Sequence, residues 1–313
     1  MHIVIVGSLN MDLVVRIPRI PRPGETLTGG TFATFPGGKG ANQAVAAARL
    51  GAQVTMIGQV GGDAFGSELI SGLQKEGIET RYIGVDEHTA TGVALIEVDE
   101  HGQNSIAVAP GANFTLTEAR VKQVLSEIDA FDCLSMPLET PLGTVYAATQ
   151  IAKKRGVWVI LNPAPAQILK RDLLEQIDVL IPNEHEAATM TGITPDKGDS
   201  CRAAAAALLK EGVGSVILTL GSQGACVMEK SSGKEQALKF VPAYAVQAVD
   251  TTAAGDCFVG AIAVGLAEGK SLVEAARFAS AAAAISVTRY GAQPSMPTRE
   301  ETNRFILERK KIV

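Results

Sequence analysis

Short apolar runs recur along the chain, and most are continuous rather than alternating. Residues 3–6, 54–57, 133–136, 157–161, 179–181 and 216–220 each place several apolar side chains in succession. A strand covered on both faces reads this way, whereas a half-exposed strand alternates. Segments with helical spacing lie between the runs. Residues 41–50 stop at Gly51, residues 65–76 follow Asp63 and stop at Gly77, and residues 202–211 have Ser200 near their start and stop at Gly212. Glycine just past a helix supplies a left-handed cap at little steric cost. Strand and helix in this alternation predict an α/β fold, with a mostly parallel central sheet and helices on both faces.

Two segments break the rhythm. Residues 13–17 and 27–35 flank PRIPRPGE, and residues 92–98 and 105–108 flank DEHG, with no helix inside either pair. They predict a small antiparallel sheet beside the main one, inserted at about 13–35 and 92–108 into one domain spanning 1–313, or else edge strands of the main sheet. Uncovered edges of that small sheet would invite another strand, so a homodimer through it is expected.

Composition narrows the function classes. The hydrophobic fraction is 46% and the charged fraction 19%, ordinary for a soluble enzyme. A formal net charge of −5 argues against general nucleic-acid binding, which needs a basic face. Cys133, Cys201, Cys226 and Cys257 form no C-x-x-C pair and read as buried thiols in a reducing compartment. His2, His88, His101 and His185 lack zinc-ligand spacing. The N-terminal apolar run is too short for a signal peptide, and no stretch approaches the ~18 apolar residues of a membrane span. A cytoplasmic protein is expected, with no membrane partner.

Chemistry concentrates in two glycine-containing segments. DTTAAGD, residues 250–256, follows a strand-like stretch at 245–249 and precedes a helical segment at 257–267. Its small residues Ala253, Ala254 and Gly255 fall at a helix N-terminus, where free N–H groups and the dipole suit an anion. Asp256 beside such a pocket can take a proton from a hydroxyl, or can simply cap the helix. FPGGKGANQAVAAARLGA, residues 35–52, lets backbone approach a ligand closely and adds Lys39 and Asn42 as polar groups. It is not a Walker A loop, and no G-x-G-x-x-G follows the first strand, which disfavours nucleotide binding of the P-loop or dinucleotide type. Asn10 and Asp12, NEHE at 183–186 and TLGSQG at 219–224 all follow apolar runs. They therefore share the carboxyl edge of a parallel sheet, where open α/β folds bind ligands.

In order and approximate spacing, GGKGAN with Gly51 and Gly61 downstream, NEHE, TLGSQG and DTTAAGD resemble the ribokinase family of sugar kinases. GSLNMD, LNPAPA and AAAAISVTRYGAQPS are similar to segments of that family too, and the likeness runs to GAQPSMP near the C-terminus. The resemblance implies ATP-dependent phosphorylation of a small sugar, D-ribose at its primary 5-hydroxyl, under a β-sheet lid. It assigns Asn10, Met11, Asp12, Gly38, Lys39, Gly40, Ala41, Asn42 and Glu139 to the sugar. Asp256 becomes the base, with an anion hole at Ala253, Ala254 and Gly255. Asn183, Glu186, Thr219, Leu220, Gly221, Ser222, Gln223, Gly224, Gly255 and Ser280 surround ATP, with Glu186 placing Mg²⁺ through water. Asp250, Thr252, Ser286, Arg289, Gly291 and Ser295 match a K⁺ site, several of them through carbonyls.

Alternatives stay open at this stage. Glu139 could instead serve a helix start ahead of Thr140 and Pro141, and Asp250 could pair with Arg289 without an ion. Ser280 stands where some relatives have a larger polar residue near the adenine, and Val259 where many have Asn. The substrate could be fructose, deoxyribose or adenosine, or the chain could bind sugar without turnover.

Overall fold

Residues 3 to 6 are fully buried, and their side chains divide by parity. Ile3 and Ile5 join one hydrophobic cluster while Val4 and Val6 join another on the opposite face. A period-2 strand buried on both faces must sort its residues this way. The computed structural model, which describes residues 1–230 and 237–310, builds its main layer from such strands.

The strands are β1 (His2–Val6), β2 (Asn10–Arg16), β3 (Thr31–Gly37), β4 (Gln53–Gly61), β5 (Ile83–Asp86), β6 (Gly92–Val98), β7 (Asn104–Ala109), β8 (Cys133–Met136), β9 (Trp158–Leu161), β10 (Val179–Leu180), β11 (Ser215–Thr219), β12 (Gly224–Glu229) and β13 (Lys239–Pro242). The helices are α1 (Lys39–Arg49), α2 (Ala64–Lys75), α3 (Glu118–Glu127), α4 (Leu142–Arg155), α5 (Arg171–Leu174), α6 (Glu184–Thr191), α7 (Asp199–Lys210), α8 (Ala254–Ala267), α9 (Leu272–Ser286) and α10 (Arg299–Lys310). Nine strands form the main sheet in the order β13-β12-β11-β10-β9-β8-β1-β4-β5. It is parallel except where β12 meets β11 and β13. Helices α1, α8 and α9 pack on one face, and α3, α4 and α7 on the other. The approach of α8 to α1 requires Gly260, where a Cβ would lie 2.7 Å from the Gln43 carbonyl oxygen.

The helix-free segments form a second, four-stranded sheet in the order β3-β2-β6-β7. Its central pair corrects the antiparallel expectation, because β2 and β6 run parallel, with Asn10 opposite Gly92. Each hairpin leaves the main body with its first strand, so the two first strands point the same way when the hairpins lie side by side. Each hairpin is antiparallel within itself.

Three local expectations shift. Helix α1 begins at Lys39, so the glycine-rich turn is the helix N-terminus itself. Residues 245–249 are not a strand; the last strand is β13, and the Val249 and Asp250 amides donate to the Val287 carbonyl instead of a sheet partner. Asn10 and Asp12 lie on strand β2 of the small sheet rather than in a loop after β1. All four cysteines are buried and unpaired. Among the described residues, no helix is long and apolar enough to cross a membrane.

Candidate active site

Helix α8 starts without a side-chain cap, at Ala253, whose φ of 57° is left-handed. A non-glycine residue held there is uncommon, and such conformations persist where the surroundings enforce them. The Ala254 amide donates to the Thr251 carbonyl at 3.2 Å, closing a tight turn. The first intrahelical bond runs from the Cys257 amide to the Ala253 carbonyl, which leaves Gly255 and Asp256 as first-turn donors. A Cβ on Gly255 would meet only open space, so an anion could come close.

Asp256 is 6% exposed, and its Oδ2 accepts from Asn42 Nδ2 at 2.9 Å. Burial raises its pKa above the ordinary carboxylate range, against the pull of Lys39 and the Asn42 bond. The same proximity, Asp256 first, raises the Lys39 pKa and keeps that ammonium charged. Asp12 is pushed up to about 7 by burial and by the charges of Glu139 and Asp256, with Lys39 opposing. Three carboxylates and one ammonium thus share a poorly solvated space, the kind of arrangement that clusters at functional sites.

The glycine-rich segment brings these groups together. Gly38 has φ 88°, and a Cβ there would sit 2.7 Å from the Asn10 amide nitrogen. Glu139 Oε2 accepts from the Lys39 amide at 3.0 Å and from the Ser8 hydroxyl. It therefore ties down the start of α1, whereas its neighbouring helix α4 begins after Pro141 with no side-chain cap. The oxygen of Asn42 is buried without a hydrogen-bond partner among the described residues.

Opposite lies the end of the parallel sheet. Asn183 caps α6 in a reciprocal box with Glu186, and the isolated bridge to Thr219 aligns it with the end of β11. Burial raises the Glu186 pKa despite its Asn183 bond. The 220–224 segment turns tightly, with the Leu220 amide donating to the Gly224 carbonyl at 2.8 Å. A cavity of about 210 Å³ has Lys39, Asn183, Glu186, Thr219, Ala253, Ala254, Gly255 and Asp256 in its wall. Asn162, Ala164, Ile181, Thr251 and Val259 complete the lining. Asn10, Met11, Asp12, Gly40, Ala41, Asn42, Glu139 and the 220–224 turn lie outside that wall, as does Ser280, whose hydroxyl donates to the Pro242 carbonyl at 3.4 Å.

The segment at 286–295 folds back onto Asp250. Gly291 N–H donates to Asp250 Oδ2 at 2.9 Å, while Oδ1 accepts from the Thr252 amide and hydroxyl. Arg289 turns away and pairs with Glu301 at 2.6 Å, so the pairing of Asp250 with Arg289 does not form. The Ser286 and Ser295 hydroxyls donate to the Ala283 and Ala292 carbonyls.

The chain as a whole has close relatives. Residues 1–299 match the family described as pfkB family carbohydrate kinase. The chain belongs to the pfkB family of carbohydrate kinases. It is 49% identical to the ribokinase of Haemophilus influenzae over 96% of this chain and 97% of that protein. It is 38% identical to a deoxyribokinase of Salmonella typhi, over 98% and 99% of the two chains. The structure of Arabidopsis thaliana ribokinase complexed with ribose and ATP aligns with a TM-score of 0.87 at 35% identity, covering 97% of this chain and 98% of that one.

Some residues of this pfkB-family site take no role from the motifs. Ser8 and Gln43 are wholly buried and bond to the groups above: Ser8 to Glu139, and Gln43 to Ser135 and Asn162. Asn162 lies within LNPAPA, a segment that suggests family likeness but no role. Asn113 lies outside every quoted motif, and only its hydrogen bonds reveal it.

Proposed function

We propose that the chain transfers the γ-phosphoryl group of ATP to the primary 5-hydroxyl of D-ribose, with Asp256 as general base. The observation that carries this reading is the uncapped start of α8. There a buried carboxylate of raised proton affinity sits one residue from free backbone donors and within the field of Lys39. Asp256 would accept the hydroxyl proton as that oxygen bonds to the γ-phosphorus. The bond from phosphorus to the β–γ bridging oxygen would break, and ADP would leave. Charge developing on the transferred group would fall on the Gly255 and Asp256 amides, which need no reorganisation to receive it. Ala254 is a weaker member of this hole than its position suggests, because its amide is already engaged with Thr251.

Ribose is the favoured acceptor because the relative of highest identity named above, at 49%, is a ribokinase, whereas the deoxyribokinase stands at 38%. Asn10, Asp12, Lys39, Asn42 and Glu139 form a polar set suited to sugar hydroxyls, and the unpartnered Asn42 oxygen offers an acceptor. The Asn183, Glu186, Thr219 and 220–224 group is read as the ATP side. Glu186 suits Mg²⁺ held through water, since its oxygens already serve the Asn183 cap and Mg²⁺ retains its hydration readily. When bound, that ion would neutralise phosphate charge. Asp250 with the carbonyls of the folded-back segment suits K⁺, which would brace the turn that carries the anion hole. Turnover at fixed ionic strength should fall when tetramethylammonium replaces potassium; an unchanged rate removes the ion.

The lid is read as a dimer surface. Phe32, Leu95, Ile106 and Val108 are each more than half exposed, and β7 is exposed throughout. Light scattering at micromolar concentration should give about twice the chain mass. The activity itself is tested by coupled assays with ribose, 2-deoxyribose, fructose and adenosine in parallel. Preference for any acceptor over ribose rejects the assignment, and ribose binding without ATP turnover indicates a binding protein.

A further inference from the structure

We propose that Asn113 is a positioning residue that sets the direction of the Asn10 amide and so makes Asn10 a hydrogen-bond donor to the sugar. The inference rests on the ribose reading above. Asn113 is 1% exposed and Asn10 is 4% exposed, at the junction where β2 leaves the main body.

The direction of the Asn113 amide is fixed by backbone. Its Oδ1 accepts from the Leu9 N–H at 2.8 Å. Its Nδ2 faces three oxygens: the Leu9 carbonyl at 3.1 Å, the Pro110 carbonyl at 3.0 Å and Asn10 Oδ1 at 2.7 Å. Turning the amide over would aim its oxygen at all three acceptors and its NH₂ at an N–H. Buried polar groups do not tolerate that loss of partners. The shortest of these bonds passes the polarity on. Asn10 must offer Oδ1 to Asn113, so its Nδ2 is the end left for a ligand. Gly92 keeps the contact tight, since a Cβ there would lie 2.2 Å from Asn10 Oδ1 and 2.3 Å from Asn113 Nδ2.

This polarity has a chemical consequence. Asn10 and Asp12 are two residues apart on β2 and share one face of the strand. Asp12, when ionised, can only accept, whereas Asn10 held in this sense can only donate at its free end. A sugar presenting one hydroxyl as donor and another as acceptor matches the pair. Asn113 also bonds the two ends of the lid, Leu9 before β2 and Pro110 after β7, so the polarity and the lid junction depend on one side chain.

The test is a double-mutant cycle read in Michaelis constants. Asn10→Ala should raise the ribose KM by about tenfold or more, as loss of a hydroxyl contact does, and leave the ATP KM alone. Asn113→Ala should give a similar change, and the double variant should be no worse than Asn10→Ala, because Asn113 acts through Asn10. Multiplying effects, or equal rises in both KM values, would make Asn113 a general support for the lid and overturn the proposal. An unchanged ribose KM in Asn10→Ala would instead remove Asn10 from the sugar site, and the inference with it. Should Asn113→Ala fail to fold, Asn10→Asp decides. Its carboxylate can still accept from Asn113 but offers the sugar an acceptor in place of a donor. A ribose KM raised by about tenfold supports the assigned polarity; a wild-type ribose KM overturns it.

Discussion

Asp63 and Asp256 are identical side chains at the starts of two helices, and their surroundings drive them in opposite directions. Asp63 caps α2. Its Oδ1 accepts from the Gly66 amide at 2.9 Å and the Thr91 hydroxyl at 2.6 Å, and its Oδ2 from the Thr91 amide at 2.8 Å. Burial alone would raise its pKa, but the Thr91 and Gly66 bonds outweigh burial and hold it below the ordinary value. Asp256 is more deeply buried and receives Asn42 at one oxygen, with its pKa raised. A carboxylate saturated with donors is a structural clamp. One that burial has made basic, with coordination to spare, is fit to take a proton.

Substitution at each position should separate the roles. Asp256→Asn keeps the shape and the buried setting but cannot accept a proton. Turnover should fall by ~10²–10⁴-fold with ribose affinity nearly unchanged. Single-turnover kinetics beside ribose titration would measure both, and a variant keeping more than about a tenth of the rate returns Asp256 to helix capping. Asp63→Ala should do the reverse. Losing the cap and the Thr91 bonds should cost ~2–3 kcal/mol of stability. Urea denaturation should show it, while kcat stays at the wild-type value. A lowered kcat in folded protein would mean that the β4–α2 junction reaches the site after all.

The same contrast explains what the sequence could reveal. The start of α8 is legible because Ala253, Ala254, Gly255 and Asp256 are adjacent, and a helix N-terminus is a local property of the chain. Likewise the Asn183–Glu186 cap is written three residues apart. The main strands are legible because burial on both faces leaves continuous apolar runs such as 3–6. What no run records is pairing between distant segments. The parallel contact of β2 with β6 joins two hairpins that each look antiparallel by themselves. Asn113 meets Leu9 and Asn10 across a hundred residues, so nothing in its own neighbourhood marks it. Arg289 could have met either Asp250 or a more distant carboxylate, and only the placement of α10 selects Glu301.

Asp12 sharpens the comparison with the smallest effect, because it should work at a cost to the fold. Its pKa is pushed up to about 7 by burial first, then by Glu139 and Asp256, with Lys39 opposing. In the unfolded chain the group returns near 3.8. Between those values the folded state binds more protons than the unfolded state, so stability declines as pH rises from about 4 to about 7 and then levels. This is the reverse of the Asp63 case, where a lowered pKa adds stability that is lost as pH falls. Asp12→Asn removes the titration. The variant should match the wild type in stability near pH 4 and exceed it at pH 8. The gain should be ~1–2 kcal/mol, since relaxation and water entry around the charged form reduce the full equivalent of the shift. Ribose should respond in the opposite sense. If the ionised carboxylate accepts a sugar hydroxyl, the wild-type ribose KM rises as pH falls below about 7, while the Asp12→Asn variant starts from a higher KM that is nearly independent of pH. Thermal melts and ribose KM values at pH 5, 6, 7 and 8 would report both trends. A variant no more stable than the wild type at pH 8 would mean that Asp12 is solvated and paired like Asp63, and that only two strained carboxylates, Asp256 and Glu186, remain in the site.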